Sequence, residues 1–282
     1  MIDQIRVFKD ATAIITGGAS GIGRTMALEL VSRGCTVILA DRQIVLAEEL
    51  AASIVADGGN AWARELDVCD YPAVQALVDE TVAKTGRLDY MFNNAGIAVG
   101  GMTHDLEVDD WDISIDVNIR GVTNGVQACY KLMVAQGFGH IVNTASMAGL
   151  IPSTNAVPYS TSKFAVVGLS QALRIEAEYR GVRVSALCPG AIQTPILTGG
   201  EFGKLGSGIT KEQVTKFWSA FNPMPADEFA REAIDQVAKN LPLIIVPGWW
   251  RRAYLTFRLL PRLWYRWSKK GMARSMHIFG QK

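Results

Sequence analysis

The chain has 282 residues, 49% hydrophobic and 20% charged, with 27 glycines and 10 prolines. That length and balance fit one large domain or two small ones with an ordinary core, and exclude a disordered or fibrous protein. A formal net charge of +1 argues against nucleic-acid binding by the chain as a whole.

Four cysteines, Cys35, Cys69, Cys129 and Cys188, lie far apart without a CxxC pair. Neither a metal site nor a disulfide framework is expected, and a reducing, cytoplasmic setting fits. The N-terminal residues carry no secretory pattern, and no run of 18 apolar residues exists to span a bilayer. Charge is unevenly spread. Of the 28 Lys/Arg, nine lie in residues 249–282, which contain no Asp or Glu; the remainder holds 19 basic and 27 acidic residues, a net of −8.

Short apolar runs alternate with helix-period segments. Strands are expected at 13–15, 36–39, 61–66, 88–92, 140–143, 182–187 and 243–246. Helices are expected near 21–32, 43–56, 73–84, 108–135 and 159–179. This alternation predicts an α/β fold: a single Rossmann-type, doubly wound parallel sheet with helices on both faces. No repeat or linker precedes residue 240, so residues 1–247 read as one domain and 248–282 as a C-terminal extension.

Thr16-Gly17-Gly18-Ala19-Ser20-Gly21-Ile22-Gly23 follows the first strand and opens the first helix. Glycines permit a tight turn and close backbone approach, and the helix N-terminus offers free N–H groups to a pyrophosphate. The spacing is GxxxGxG, and no Gly-Lys-Ser/Thr follows, which excludes a Walker loop. Asp41 ends the second strand. A carboxylate there accepts hydrogen bonds from ribose hydroxyls and repels a 2′-phosphate, favouring NAD; Ser20 is not basic. Arg42 beside it could pair with that phosphate and leaves NADP as the less favoured cofactor. The alternative for Asp41 is a plain helix N-cap.

Tyr159-Ser160-Thr161-Ser162-Lys163 sets a phenol and an ammonium at i and i+4, on one helix face. A free tyrosine, with a pKa of ~10, is a poor base near neutrality, and a neighbouring cation favours its phenolate. Ser146 follows a strand, Asn93-Asn94-Ala95-Gly96 follows another, and Asn118 sits mid-helix, where a solvated amide is the bland alternative. Pro189-Gly190 follows the sixth strand, with Thr194 soon after; a cap before Pro195 is that threonine's alternative.

These pieces, with Asp67-Val68 and the segment Pro189-Gly190-Ala191-Ile192-Gln193-Thr194, resemble the classical short-chain dehydrogenase/reductase family over roughly residues 8–247. The resemblance implies NAD(P)(H) and a catalytic set of Asn118, Ser146, Tyr159 and Lys163. Tyr159 is then the general acid/base, and Ser146 orients the substrate oxygen. Lys163 holds the nicotinamide ribose and depresses the Tyr159 pKa, and Asn118 anchors a water linking Lys163 to solvent. The implied cofactor contacts are Gly17, Ser20, Gly21, Ile22, Gly23, Asp41, Arg42, Asp67, Val68, Asn94, Ala95, Gly96, Tyr159, Lys163, Pro189, Ile192 and Thr194. Asp67 and Val68 would touch adenine, Asn94 the adenosine ribose, and Ile192 and Thr194 the carboxamide. A homodimer or homotetramer through helices 108–135 and 159–179 is implied too.

His104 and His140 lack partners at ligand spacing and read as surface or loop residues. Met102 and Met147 could line a substrate pocket or fill the core. Segment 195–225 is rich in aromatic and apolar residues (Phe202, Ile209, Phe217, Trp218, Phe221) and in glycine (Gly199, Gly200, Gly203, Gly206, Gly208). It reads as a hinged lid for a hydrophobic substrate such as a steroid, a 3-hydroxyacyl chain or a bulky aliphatic or aryl alcohol. The function expected is an NAD-dependent alcohol dehydrogenase/ketone reductase. The alternatives are an NADP-preferring carbonyl reductase and a dinucleotide-binding scaffold without turnover.

In the extension, Arg251, Arg258, Arg262, Arg266 and Lys269 share one face of a helical wheel. Phe257, Leu260, Leu263, Trp264 and Trp267 share the other, and Pro261 splits the helix in two. Two fates compete for 249–270: peripheral contact with a membrane, or packing on the body or a neighbouring subunit.

Overall fold

The computed structural model describes residues 4–206 and 210–278. Gly208 and Ile209 of the expected lid, and Lys282 of the basic extension, lie outside the described residues.

The first two βα units are β1 (Thr12–Thr16), α1 (Gly21–Ser32), β2 (Thr36–Asp41) and α2 (Ile44–Ala56). Then come β3 (Ala61–Glu65), α3 (Tyr71–Thr85) and β4 (Tyr90–Asn93). Asp70 caps α3 by accepting from the Ala73 N–H at 3.2 Å, and Gly86 ends it in the left-handed region. The helical stretch expected over 108–135 is α4 (Val108–Ile115), a π-helical turn at Asp116–Arg120, and α5 (Gly121–Gln136). β5 (Gly139–Thr144), α6 (Val157–Glu178) and β6 (Val182–Pro189) follow. Among its described residues, the segment expected to be a lid holds a 3-10 turn, Pro195–Thr198, and α7 (Lys211–Ser219). The chain continues as α8 (Ala226–Ala238), β7 (Leu243–Val246), α9 (Trp250–Leu259) and α10 (Pro261–Ile278).

All strand pairs are parallel, in the order β3-β2-β1-β4-β5-β6-β7. Alternate side chains leave opposite faces. Ile15, Leu39 and Phe92 pack with α1, α2 and α8, where Leu30, Leu50 and Phe229 meet them. Ile14, Ile38 and Met91 pack with α3 and α5 through Leu77, Val78 and Met133. Strands buried on both faces explain why these segments read as continuous apolar runs. The order reverses between β1 and β4, so the crevice beyond their carboxyl ends is the natural ligand site.

One expectation fails in the sheet. His140 is neither a surface nor a loop residue: it lies in β5, paired on both sides, and is fully buried. Its Nε2 pairs with the Ser185 hydroxyl at 2.8 Å. His104, in contrast, is exposed in a 3-10 turn.

The extension breaks into two helices at Leu260–Pro261, as the proline requires. Its wheel faces need correction. Trp250, Ala253, Tyr254, Phe257 and Trp264 pack on a third apolar cluster of the body, around Leu150, Val167 and Ile245, whereas Leu260 and Trp267 stay exposed. No helix among the described residues is long and apolar enough to cross a membrane.

Candidate active site

The turn after β1 is built by close backbone contact. Gly17 has φ +64°, and a Cβ on it would stand 2.9 Å from the Ala95 Cα. Glycine alone fits there. Thr16 Oγ1 accepts the Asn94 and Ala95 N–H groups at 2.9 and 3.0 Å, and Asn94 Nδ2 donates to the Thr16 and Gly17 carbonyls at 3.0 and 3.2 Å. The loops after β1 and β4 are thereby locked together, so Asn94 has a structural task that sequence reasoning missed.

Asp41 is buried where β2 ends. Its carboxylate accepts from the Ala19 N–H and the Gln43 N–H, both at 3.0 Å. The N-cap position of α2 is Gln43, which removes the plain-cap alternative. Asp41 instead fixes the glycine turn from the side. Arg42 is half-exposed, 3.9 Å from the Asp67 carboxylate, with its guanidinium 4.7 Å from the Phe202 ring centroid. Val68 is buried, and its carbonyl accepts from Asn124 Nδ2 at 2.8 Å.

The second half of the site centres on the start of α6. Ser146 caps the turn after β5, its Oγ accepting from the Ala148 N–H at 3.1 Å. Ser160 Oγ donates to the Ala148 carbonyl at 2.7 Å, which ties the first turn of α6, and with it Tyr159, to that cap. One turn on, Lys163 is buried and donates from Nζ to the Thr144 carbonyl at 2.9 Å, 5.6 Å from the Tyr159 ring centroid.

Asn118 is fully buried, not a solvated amide. The π turn aims it inward: Oδ1 accepts from the Ile97 N–H at 2.9 Å, while Nδ2 donates to the Ile97 carbonyl at 3.0 Å and to Ser162 Oγ at 3.1 Å. A Cβ on Gly96 would meet Asn118 Oδ1 at 3.1 Å and Lys163 Nζ at 3.3 Å, so amide and ammonium converge on one spot.

Burial raises the Tyr159 pKa above its ordinary value, a hydrogen bond with the Ser146 side chain lowers it, and Cys188 adds a small upward push. Burial pulls the Lys163 ammonium down to about 8, and pushes the Cys188 thiol of β6 up to about 12. Nothing in the motif spacing pointed to Cys188.

Beyond β6, the Gly190 N–H donates to the Val246 carbonyl at 2.8 Å, Ile192 is buried and bridges Met224, and Thr194 Oγ1 donates to the Ile192 carbonyl at 3.3 Å. Thr194 occupies the N-cap position before Pro195 without a side-chain cap bond.

All the expected catalytic and cofactor-contact residues except Asn118 line one cleft of about 650 Å³. Met147 lines it too; Met102 does not. Val214, Phe217, Trp218 and Phe221 form a wall from the 195–225 segment. That segment is tied to the body: Lys204 Nζ reaches both Asp110 oxygens at 2.7 and 2.9 Å, and the Lys204 backbone bonds Ala98 and Gly100.

The other wall was not foreseen. Trp250, Trp264, Trp267 and Ser275 of the extension line the same cleft, and Asn155 Nδ2 donates to Ser275 Oγ at 3.0 Å. The apolar stripe on the helical wheel was the available signal, but it did not say which surface the stripe would meet.

A family model described as short chain dehydrogenase matches residues 11–200. The protein named probable oxidoreductase EphD, from Mycobacterium tuberculosis, is 34% identical over 261 residues; the match covers 90% of this chain but 44% of that relative, so the chain spans less than half its length. Cyclohexanol dehydrogenase of Acinetobacter sp. is 35% identical, covering 74% of this chain and 88% of its own. Among solved structures, a short chain dehydrogenase/reductase from Burkholderia phymatum, in complex with NAD, superposes with a TM-score of 0.82 at 28% identity, covering 92% and 96% of the two chains. Levodione reductase gives 0.76 at 30% identity over 86% and 97%. With the doubly wound sheet, the locked glycine turn and the Ser146/Tyr159/Lys163 cluster in place, this match makes the chain a member of the short-chain dehydrogenase family.

Proposed function

We propose that the protein is an NAD-dependent oxidoreductase that interconverts a secondary alcohol and a ketone on a hydrophobic substrate. Residues 1–247 form the catalytic domain, with 195–225 as its lid and 248–282 as an extension. The observation that carries this reading is the shared cleft, where the Tyr159 phenol, Ser146 and Lys163 stand between a dinucleotide cradle and aromatic walls.

The cradle fits NAD. The glycine turn brings backbone N–H groups and the N-terminus of α1 to the crevice, which suits a pyrophosphate. Asp41 places a carboxylate beside it, which suits free ribose hydroxyls and opposes a 2′-phosphate. The rest of the cradle comprises Ser20, Gly21, Ile22 and Gly23, then Asp67, Val68, Ala95 and Gly96, and finally Pro189, Ile192 and Thr194. When bound, the nicotinamide supplies or accepts the hydride.

Tyr159 moves the proton at the substrate oxygen, accepting it during alcohol oxidation and returning it during ketone reduction. Ser146 donates to the same oxygen and holds it against the phenol. Lys163, a buried cation below about pH 8, favours charge on the phenol when the site is assembled. Asn118 fixes the Ile97 backbone and Ser162 beside Lys163. The aromatic walls exclude water and select bulky apolar substrates over small polar ones.

Two finer readings concern partners. Exposed Ile113 and Ile115 on α4, with Phe164 and Ile175 on α6 and Tyr179 at its C-cap, support a homodimer or homotetramer through those helices. The basic, aromatic extension is read as peripheral to a membrane.

NADH formation with a panel of hydroxysteroids, hydroxyacyl thioesters and apolar secondary alcohols tests the assignment. Tyr159→Phe should cut turnover about 10²- to 10⁴-fold with little change in NAD binding. Turnover retained in that variant would remove Tyr159 from its role.

A further inference from the structure

The inner face of α9 and α10 is spent on the body and the cleft; the outer face is not. Eight Lys/Arg between 251 and 274 are all exposed, among them Arg258, Arg262, Arg266 and Lys269. Among the described residues none of these cations has an ion-pair partner. The extension is therefore held to the body by apolar packing, and its charge stays available to an external anion.

Hydrophobic groups accompany that charge. Leu259 is 73% exposed and Leu260 55% exposed at the turn joining the two helices, directly between Arg258 and Arg262. Tyr265 and Trp267 are about half-exposed on α10. A nucleic-acid backbone has no use for a bare Leu-Leu tip, whereas an anionic bilayer takes up the leucines, seats aromatic rings at its interface and attracts the arginines. The rest of the chain is net negative, so the extension is the part of the chain that such a surface attracts. Finally, Trp267 and Gly271 are exposed and also line the cleft, so the cleft opens beside this same face.

We propose that the outer face of α9 and α10 docks on an anionic membrane surface, with Leu259 and Leu260 at the inserted tip, and that the cleft takes its substrate from the lipid past Trp267 and Gly271. The second half rests on reading the cleft as a site for a hydrophobic alcohol; the docking does not.

The test is flotation of the full chain with vesicles of phosphatidylcholine alone and with equimolar phosphatidylcholine and phosphatidylglycerol. The protein should float with the phosphatidylglycerol vesicles only, and less so at high salt. Leu259→Asp/Leu260→Asp and Arg258→Glu/Arg262→Glu should each weaken partitioning by at least about tenfold. Both should turn over a water-soluble secondary alcohol as the parent does, and a vesicle-dissolved one several-fold more slowly. No flotation, equal flotation of the variants, or self-association or DNA binding in its place would overturn the docking. Flotation needs no turnover, so a protein that floats but oxidises no alcohol would remove the functional reading and leave the docking standing. Loss of flotation in the variants with unchanged turnover of the vesicle-dissolved alcohol would overturn delivery from lipid.

Discussion

The indole of Trp250 lies against Gly190: a Cβ at that glycine would stand 2.1 Å from Nε1 and 2.4 Å from Cδ1. The first residue of α9 is thus seated on the backbone that leaves β6, inside the cleft lining. Gly190→Ala should destabilise the protein by roughly 1–3 kcal/mol through overpacking. In a Trp250→Ala background the same change should cost little, a coupling of about 1 kcal/mol or more by urea denaturation. Strictly additive costs would mean that the indole yields freely at this position.

Asp41 serves two ends, holding the Ala19 N–H of the glycine turn and lining the cleft where the adenosine ribose is proposed to lie. Asp41→Ala should raise the KM for NAD about tenfold and improve NADP relative to NAD by a similar factor, since the repulsion of a 2′-phosphate goes. It should also cost roughly 1–3 kcal/mol of stability, because a charge-assisted acceptor is lost. Parallel kinetics with both cofactors check it; an unchanged preference would shift the selectivity to another group.

His140 makes stability depend on pH. Burial, with Arg183 and Arg174 adding, holds its imidazole down to about 3. In the unfolded chain it takes up a proton near its ordinary value of ~6.5, so stability present above that value is lost as pH falls toward 3. By pH 5 this site alone should cost roughly 2 kcal/mol. His140→Gln should flatten the decline in denaturation midpoints between about pH 7 and 5, and an equally steep decline in the variant would assign it to other groups.

The Lys204–Asp110 pair clamps the segment that covers the cleft. Its ammonium, together with the Glu107 N–H, keeps the Asp110 carboxyl below the usual range. Asp110→Asn should loosen the cover and raise the KM for a bulky alcohol several-fold, with a smaller effect on NAD binding. Steady-state kinetics will show whether KM moves; an unchanged value would mean that backbone pairing with Ala98 and Gly100 suffices.

Sequence alone carried far wherever one short segment holds both the chemistry and its geometric cause. The glycine turn, Asp41 at a strand end and Tyr159/Lys163 one helical turn apart are of this kind, and all line the cleft. Reasoning failed where position depends on distant partners. His140 sat inside a correctly read strand, yet its burial follows from β5 having neighbours on both sides. Asn118 was marked only through the family resemblance, because a π turn, which has no marked sequence signal, is what rotates it toward Ile97. The apolar stripe of the extension was visible, but only the packing assigns it to the body and leaves the opposite face bare.

Ser146, Tyr159 and Lys163, the groups proposed to handle the proton, lie within 18 residues of one another, whereas Trp250, Trp264 and Trp267 line the same cleft from a segment more than 80 residues downstream. On that reading, chemistry and shape selection are carried by separate stretches of the chain. A new extension grafted after β7 could remould the accommodated molecule while every proton-handling contact is kept, which makes these last two helices the natural cassette for retargeting the scaffold.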